Sequence, residues 1–561
     1  MKTRKKSLFK VLSLILCFVM VLSLCACGKS ADKPASSDVP ASSDSSGKDS
    51  SDGKSATSFK CATLAPEGSE YIYDSITMGT GVFGALQTVV APVVNQAGCT
   101  LVYDNIFKVN TATKEIYSVI LEDWYWEDEN TLIMKMKDGI YFSNGEKATA
   151  EDLLYSYLCH KQVTSAALAE VQFDMEKSVV RDELTAALCF TQYNTAFFTY
   201  NVYLYCKSWA EPIGFDSTEW QNPVGSGPYK VVEYVNDDHI TFEARDDYWN
   251  KENDPVKIKQ WVMKYYSDAS TMAMDMEVGS IAFCAFTSTD YERFLKEGGT
   301  GYDVYAGDAG CVYTFAFGFL ENECWYDKRV RQAIECGIPW DEFGEVTLGV
   351  IYEKATGFVP STSPEYQELG GYTYDLEKAK SLLKEAGYDE SNPLKLHTVM
   401  MDTPFYSKSC EAFEYYCSQM GVQFTFELKD IPAAVVDWNT PGGGCELGFS
   451  YNNLGSPTQL FVRSMSYCAT PDVCQWTFVD DETFDNLYID CSKETDEAKR
   501  IELSKQAQQR LYDECLCIPY AICKFEVAYN PDVLPYDIIT KGVMSNEYYN
   551  MENMSVASAW E

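Results

Sequence analysis

Residues 131–158, TLIMKMKDGIYFSNGEKATAEDLLYSYL, decide the class of the fold. Thr131–Lys137 reads as a strand. Asp138-Gly139 and Asn144-Gly145 are tight-turn signals on either side of Ile140–Phe142, because such pairs tolerate the positive φ that short turns require. Thr149 stands where a helix N-cap would, with Asp152 three residues on to complete a box-like pair. Leu153, Leu154, Tyr157 and Leu158 give that helix one apolar face. Strand, turns and helix follow one another in a single stretch, so the chain is mixed α/β.

Working outward, Tyr229–Tyr234 and Ile240–Ala244 flank the polar Asn236-Asp237-Asp238 and read as a hairpin. The second half is richer in helices. In Asp327–Ile338, Val330, Ala333, Ile334, Gly337 and Ile338 share a face, and Lys328, Arg329, Arg331 and Glu335 are expected in water. Asp375 caps a helix running to Ala386 with Gly387 as its stop. Thr495 caps another, with Ala498, Ile501, Ala507 and Leu511 inward. No short-period repeat is present. Helices and strands interleave without a strict βα rhythm, which fits several α/β lobes better than one barrel.

The length of 561 residues gives a prior of about three to four domains. Hydrophobic residues at 46% and charged ones at 23% exclude a wholly disordered or fibrous chain. The net charge of −38 repels phosphate backbones, so nucleic acid is not an expected partner. The first ten residues carry Lys2, Arg4, Lys5, Lys6 and Lys10 with no acid, and residues 11–24 are apolar. That run is too short for a comfortable membrane span, which needs about 20 residues, and reads as a secretory signal over 1–26. It ends Leu24-Cys25-Ala26-Cys27-Gly28, which resembles a bacterial lipobox with Cys27 as the lipidated residue. Residues 28–58 hold 11 serines and nothing more apolar than Val39, so 27–58 is a lipidated cysteine and a solvated tether. A body of 59–561 is thereby expected at the extracytoplasmic face of the cell membrane, lipid-anchored.

Reactive chemistry is sparse. Eighteen cysteines lie between Cys61 and Cys523, and whether they are disulfides or buried thiols stays open. Cys468 and Cys474 suit a local disulfide. Cys515-x-Cys517 with Cys523 matches no four-ligand zinc spacing and has no histidine near it, so strand or core cysteines are the reading. The three histidines, His160, His239 and His397, are widely separated. No Gly-x-Ser-x-Gly elbow is present. Gly79–Gly84 matches G-x-G-x-x-G with Asp104 twenty residues beyond, but a Rossmann site needs a parallel βαβ unit around it, and a flexible Gly-rich loop is the preferred reading. No metal and no cofactor are expected.

Five stretches carry a family resemblance: Tyr103–Phe107 (YDNIF), Lys137–Asp152, Asn222–Tyr229 (NPVGSGPY), Asp327–Ala333 (DKRVRQA) and Tyr374–Gly387 (YDLEKAKSLLKEAG). Taken in order, they resemble the solute-binding lipoproteins of the dipeptide/oligopeptide/nickel class, family 5, of ABC importers. The resemblance implies an α/β, two-lobed, periplasmic-binding-protein-like fold of type II with three domains, a hinge and an interlobe cleft. A discontinuous first lobe would comprise 59–100, 215–305 and 525–561, an inserted domain 101–214, and a second lobe 306–524. Hinge strands would lie near Gly310–Tyr313 and Ala521–Phe525. The implied partners are a short peptide or peptide-like small solute and an ABC permease with its ATPase subunits. The protein would act as a monomer and not as an enzyme.

Peptide-binding members of that family hold the ligand's α-ammonium with an aspartate shortly before a Pro, three residues after a Trp. Aligned on Pro457, those positions fall on Asn453 and Ser450, with Tyr451 and Asn452 between. An amide offers the ammonium only a neutral hydrogen bond where a carboxylate offers a charge-assisted one. The ligand is therefore expected to differ from a simple free-amine peptide, or its amine to meet another acid such as Asp437, Glu446 or Asp472. The remaining ligand-lining candidates are Trp476, Tyr313 and Phe315. Two other classes stay open: a secreted hydrolase such as a glycosidase, for which composition supplies carboxylates, and a receptor or chaperone that uses the binding fold without import.

Overall fold

In the computed structural model the described residues are 60–81, 84, 86, 96–109, 116–159, 172–192, 197–198, 202–285, 301–319, 321–361, 363–438, 442–450, 481–542 and 550–561. The signal, Cys27, the tether, His160 and the Cys468–Cys474 pair lie outside them. Among the described residues, nine strands form the largest sheet: β1 (Ala62–Leu64), β2 (Tyr73–Thr80), β3 (Tyr229–Val235), β4 (His239–Ala244), β5 (Ile258–Tyr265), β6 (Phe283–Ala285), β7 (Asp303–Phe317), β8 (Leu447–Ser450) and β9 (Cys517–Tyr529). Their order is β3-β4-β5-β2-β6-β9-β7-β8, with β1 on β2. β2 runs parallel to β5 and β6; the other pairings are antiparallel. A five-stranded antiparallel sheet is built wholly from residues between 121 and 192. A parallel pair, Lys395–Met401 and Gln423–Lys429, is joined through the helix Pro404–Met420. These residues all fall in one compact unit, Ser58–Glu561.

Local signals set many boundaries. The β3–β4 hairpin turns at Asp237, whose φ is +56°. The backbone N–H and hydroxyl of Thr149 both donate to Asp152 Oδ2, at 2.9 and 3.0 Å, and the helix Ala150–Cys159 follows. Asp327 and Asp375 cap helices Lys328–Gly337 and Leu376–Glu385 through their side chains. Two expectations need correction. The last long helix, Glu497–Asp513, is capped by Asp496, not Thr495; Ala498 is exposed, and Arg500, Ser504 and Gln508 are buried beside Ala507 and Leu511. Arg331 does not face water. It is buried and donates to the carbonyls of Trp325, Cys515 and Glu514 at 2.6, 2.9 and 2.8 Å.

The N-terminal motifs meet at one junction. A Cβ on Gly225 would stand 2.0 Å from the Val102 carbonyl oxygen, and one on Gly227 would stand 2.7 Å from the Tyr103 nitrogen. Only glycine lets these two backbone segments approach so closely. Ser226 Oγ accepts from the Asp104 N–H at 3.0 Å. The Gly225 carbonyl accepts from Ser143 N–H at 2.9 Å, tying in the 137–152 segment. Arg245 closes the junction by donating to the carbonyls of Gly225, Gly227 and Tyr141. The G-x-G-x-x-G stretch has a packing role at its start: Gly79 lies in β2 where a Cβ would meet Ile281 and Met272 at 2.8 and 2.9 Å.

Asp104 is fully buried in the same junction. Its carboxylate accepts from Tyr248 Oη at 3.1 Å and Trp249 Nε1 at 3.0 Å. Lys108 is ion-paired with Glu552 beside it, which links the junction to the C-terminal helix Met551–Ser555. Burial, with the nearby Glu552 charge, pushes Asp104 up from 3.8 to about 6. A carboxyl whose folded pKa is raised contributes stability that is whole below the unfolded value and lost as pH rises through the folded one. Wild type is therefore expected to lose roughly 2–3 kcal/mol relative to Asp104→Asn between pH 4 and 7. Urea denaturation of both proteins across that range checks it; parallel curves would refute it.

Candidate functional site

β7 and β9 are the longest strands, and they pair along almost their whole length. The ladder runs from Asp303↔Tyr529 to Asp308↔Lys524, slips, and resumes at Val312↔Ile522. β7 thus spends four residue steps where β9 spends two. Such an irregularity removes ladder hydrogen bonds and bends the strand, which makes it a place where a paired ribbon can flex. It lies where the hinge is expected. β9 is held on its other edge by Glu353–Ala355: Ile522 N–H donates to the Glu353 carbonyl at 2.7 Å, and Lys524 pairs with Glu353 at 2.5 Å.

Aromatic rings line up from this ribbon. Tyr313, just past the slip, has its ring 6.1 Å from Tyr520 of β9 and 4.9 Å from Phe405. Phe405 meets Tyr406 at 5.0 Å, and Tyr406 meets Trp438 at 6.1 Å. Phe405 and Tyr406 stand in the first turn of the helix Pro404–Met420, whose N-cap is Thr403. Trp438 is anchored by Nε1–H donating to the Val399 carbonyl at 2.8 Å. Phe405 and Trp438 are only partly buried, so this line of rings borders an accessible face. Flat apolar walls with a few polar groups are the usual lining of small-ligand sites.

The sequence candidates divide. The backbone of Ser450 pairs with Thr314, one step from Tyr313, so β8 delivers the chain to this ribbon. Tyr451, Asn452, Asn453 and Trp476 lie outside the described residues, as does Asp472. Phe315 is fully buried, with its ring against Phe317, Trp340, Phe413 and Phe449. That is a core position in this conformation. Of the substitute acids, Asp437 is paired with Lys429 at 2.9 Å. Glu446 Oε2 accepts from the His397 N–H at 2.8 Å and from Asn322 at 3.0 Å. Sequence reasoning passed over Glu526 of β9, a buried carboxyl opposite Ala306 that burial pushes up to about 8. It also passed over Phe405, Tyr406 and Tyr520. An acid inside an apolar strand reading CIPYAICKFEVAY was the available signal for Glu526.

Among the described residues no group of three or more His, Cys, Asp or Glu could hold a metal ion, and no helix is long and apolar enough to cross a membrane. Fifteen cysteines among the described residues are free thiols, most of them buried.

The model for "Bacterial extracellular solute-binding proteins, family 5 Middle" matches residues 115–471. The di/tripeptide-binding protein 1 of Pseudomonas aeruginosa is 25% identical over 319 residues, 54% of this chain and 56% of its own length. The chain spans 39% to 56% of the length of the curated relatives it matches. Among solved structures, DppA from Helicobacter pylori in complex with the peptide STSA superposes with a TM-score of 0.70 at 18% identity, covering 85% of this chain and 98% of that one. NikA from Staphylococcus aureus in complex with Ni(L-His)2 gives 0.66 at 16% identity, covering 82% and 95%.

Proposed function

The chain belongs to family 5 of the bacterial extracellular solute-binding proteins, and on that premise we propose that it captures a peptide or peptide-like small solute between two lobes and hands it to an ABC permease with its ATPase subunits. The observation that carries this reading is the β7–β9 ladder with its slip at Asp308–Val312, bordered by the rings of Tyr313, Phe405, Tyr406 and Tyr520. A ribbon that continues on both sides of a flexible step suits hinge closure around a ligand. The first lobe would be 59–100, 215–305 and 525–561, the inserted domain 101–214, and the second lobe 306–524. Cys27 would carry the lipid that holds the protein at the outer face of the membrane, as a monomer. The cargo leaves chemically unchanged, so no nucleophile, metal or cofactor is required.

Ser450, Tyr451, Asn452, Asn453, Trp476 and Tyr313 would contact the ligand, with Phe315 behind them. Asn453 sets the specificity: it offers an ammonium no counter-charge. Asn453→Asp is expected to tighten binding of a free-amine tripeptide by about tenfold, since a charge-assisted bond is roughly twice as strong as a neutral one. Calorimetry with the tripeptide and its N-acetyl form reads this out. Tight wild-type binding that acetylation abolishes would refute the role of Asn453. Native mass spectrometry of what co-purifies with the protein tests the wider reading, and turnover of glycoside or peptide substrates would overturn it.

A further inference from the structure

In an antiparallel strand each residue turns its N–H and C=O to one edge, and successive residues alternate. Ile522 and Asn530 show which way the even-numbered residues of β9 turn: their N–H groups donate to the carbonyls of Glu353 at 2.7 Å and Ala282 at 2.8 Å, on the edge away from β7. By alternation Lys524, Glu526 and Ala528 face that same edge. Ala528 pairs there with Cys284 of β6. The edge is therefore covered at one end by the expected first lobe and at the other by the expected second lobe.

Between those ends it is open. Among the described residues no strand and no main-chain group pairs with Lys524 or Glu526 on this edge, and the Lys524 carbonyl meets only the Cys523 thiol at 3.9 Å. The opening straddles the expected lobe boundary and stands level with the slip in β7, since Lys524 pairs with Asp308. From Ile522 to Ala528 a strand covers roughly 20 Å, and with each end taken the open part holds a strand of about three residues. Glu526 is only 9% exposed, yet the one hydrogen bond its carboxylate accepts among the described residues comes from its own backbone N–H. Buried main-chain groups are nearly always paired with another chain segment or with water, so an unpaired stretch inside the molecule marks a place for an incoming partner.

We propose that the main chain of the peptide solute adds as a short strand to this open edge, its N–H and C=O groups pairing with those of Lys524 and Glu526. The Glu526 carboxylate holds the Glu526 N–H until the peptide replaces it. Strand addition suits a carrier of varied peptides, because the bonds are made to groups that every peptide has. A strand that bridges β6 and Glu353 also ties the two lobes together across the hinge. The proposal rests on the reading of a peptide as the cargo and names where its main chain is held.

The test is amide hydrogen exchange on the full chain, read residue by residue, with and without a tryptic digest of casein as the peptide source; native mass spectrometry reports whether any peptide is retained. On peptide binding the amides of Lys524 and Glu526 are expected to slow by about tenfold or more, and those of Phe525 and Val527, which face β7, to change much less. Glu526→Pro removes an edge N–H without touching the β7 ladder and is expected to weaken the retained peptide about tenfold, whereas Glu526→Gln keeps that N–H and is expected to bind within about threefold of wild type. Retention of a peptide with no protection at Lys524 and Glu526 would overturn this proposal and leave the peptide reading standing. Retention of no peptide at all would overturn both. Should Glu526→Pro fail to fold, the exchange of the wild-type amides still decides.

Discussion

Gly225→Ala is expected to lower the stability of the protein by about 3 kcal/mol or more, because the new methyl group has nowhere to go. Its Cβ would stand 2.0 Å from the carbonyl oxygen of Val102 and 2.9 Å from the carbonyl carbon. These are backbone atoms, not the end of a flexible side chain, so relief requires the whole 222–229 loop to lift. Lifting it stretches the Ser143 N–H bond to the Gly225 carbonyl, at 2.9 Å, and the Arg245 bonds to the Gly225 and Gly227 carbonyls, at 3.1 and 3.0 Å. It also withdraws Ser226 from Asp104. Gly81→Ala supplies the comparison, since a Cβ there meets nothing within 4 Å. Urea denaturation followed by tryptophan fluorescence is expected to shift the Gly225→Ala midpoint well down and leave Gly81→Ala near wild type. Equal midpoints would mean that the close approach of the two segments is not what the Gly-rich loop is for.

That loop also shows what a sequence makes legible. Turns and caps are local: Asp138-Gly139, Asp327 and Asp375 act on residues within three or four positions, and each does in the fold what its neighbours imply. The choice between Thr495 and Asp496 as a cap could not be made locally, because both residue types cap and the helix starts one residue apart for each. Burial of Arg331 was not legible either. Its carbonyl partners at Glu514 and Cys515 come from a segment 183 and 184 residues away, and the apolar face of its own helix gives no hint of them. The same limit governs the site. Tyr313 stands at the end of the stretch where a hinge is expected, but Phe405 and Tyr520 join it only because β7 pairs with β9 in one register and the helix Pro404–Met420 begins beside them. Register and inter-element contact are long-range facts, and a single chain read along its length does not contain them.

Arg331→Met is expected to cost about 3 kcal/mol or more, because three carbonyls lose a charged donor and each buried acceptor left unsatisfied costs roughly 1–3 kcal/mol. Methionine fills much of the same volume, so the loss reports hydrogen bonds more than packing. Three carbonyls, of Trp325, Glu514 and Cys515, would be stranded, two of them at a buried bend where the chain leaves the helix Glu497–Asp513 and enters β9. Cys515 adopts φ +50° there, a conformation a non-glycine residue holds only when its surroundings fix it. Arg331→Lys is not expected to rescue, because an ammonium cannot reproduce the planar fork that reaches three acceptors at once. Its neighbour gives the contrast: Arg329 is half-exposed and pairs with Asp327 at 2.6 Å, and Arg329→Met is expected to leave the urea midpoint near wild type, because exposed ion pairs contribute little. Because the bend starts the strand that pairs across the expected hinge, Arg331→Met is also expected to weaken tripeptide binding, measured by calorimetry below the variant's unfolding temperature. Equal urea midpoints for the two variants would show that Arg331 is a surface residue in solution, and that the anchoring of β9 lies elsewhere.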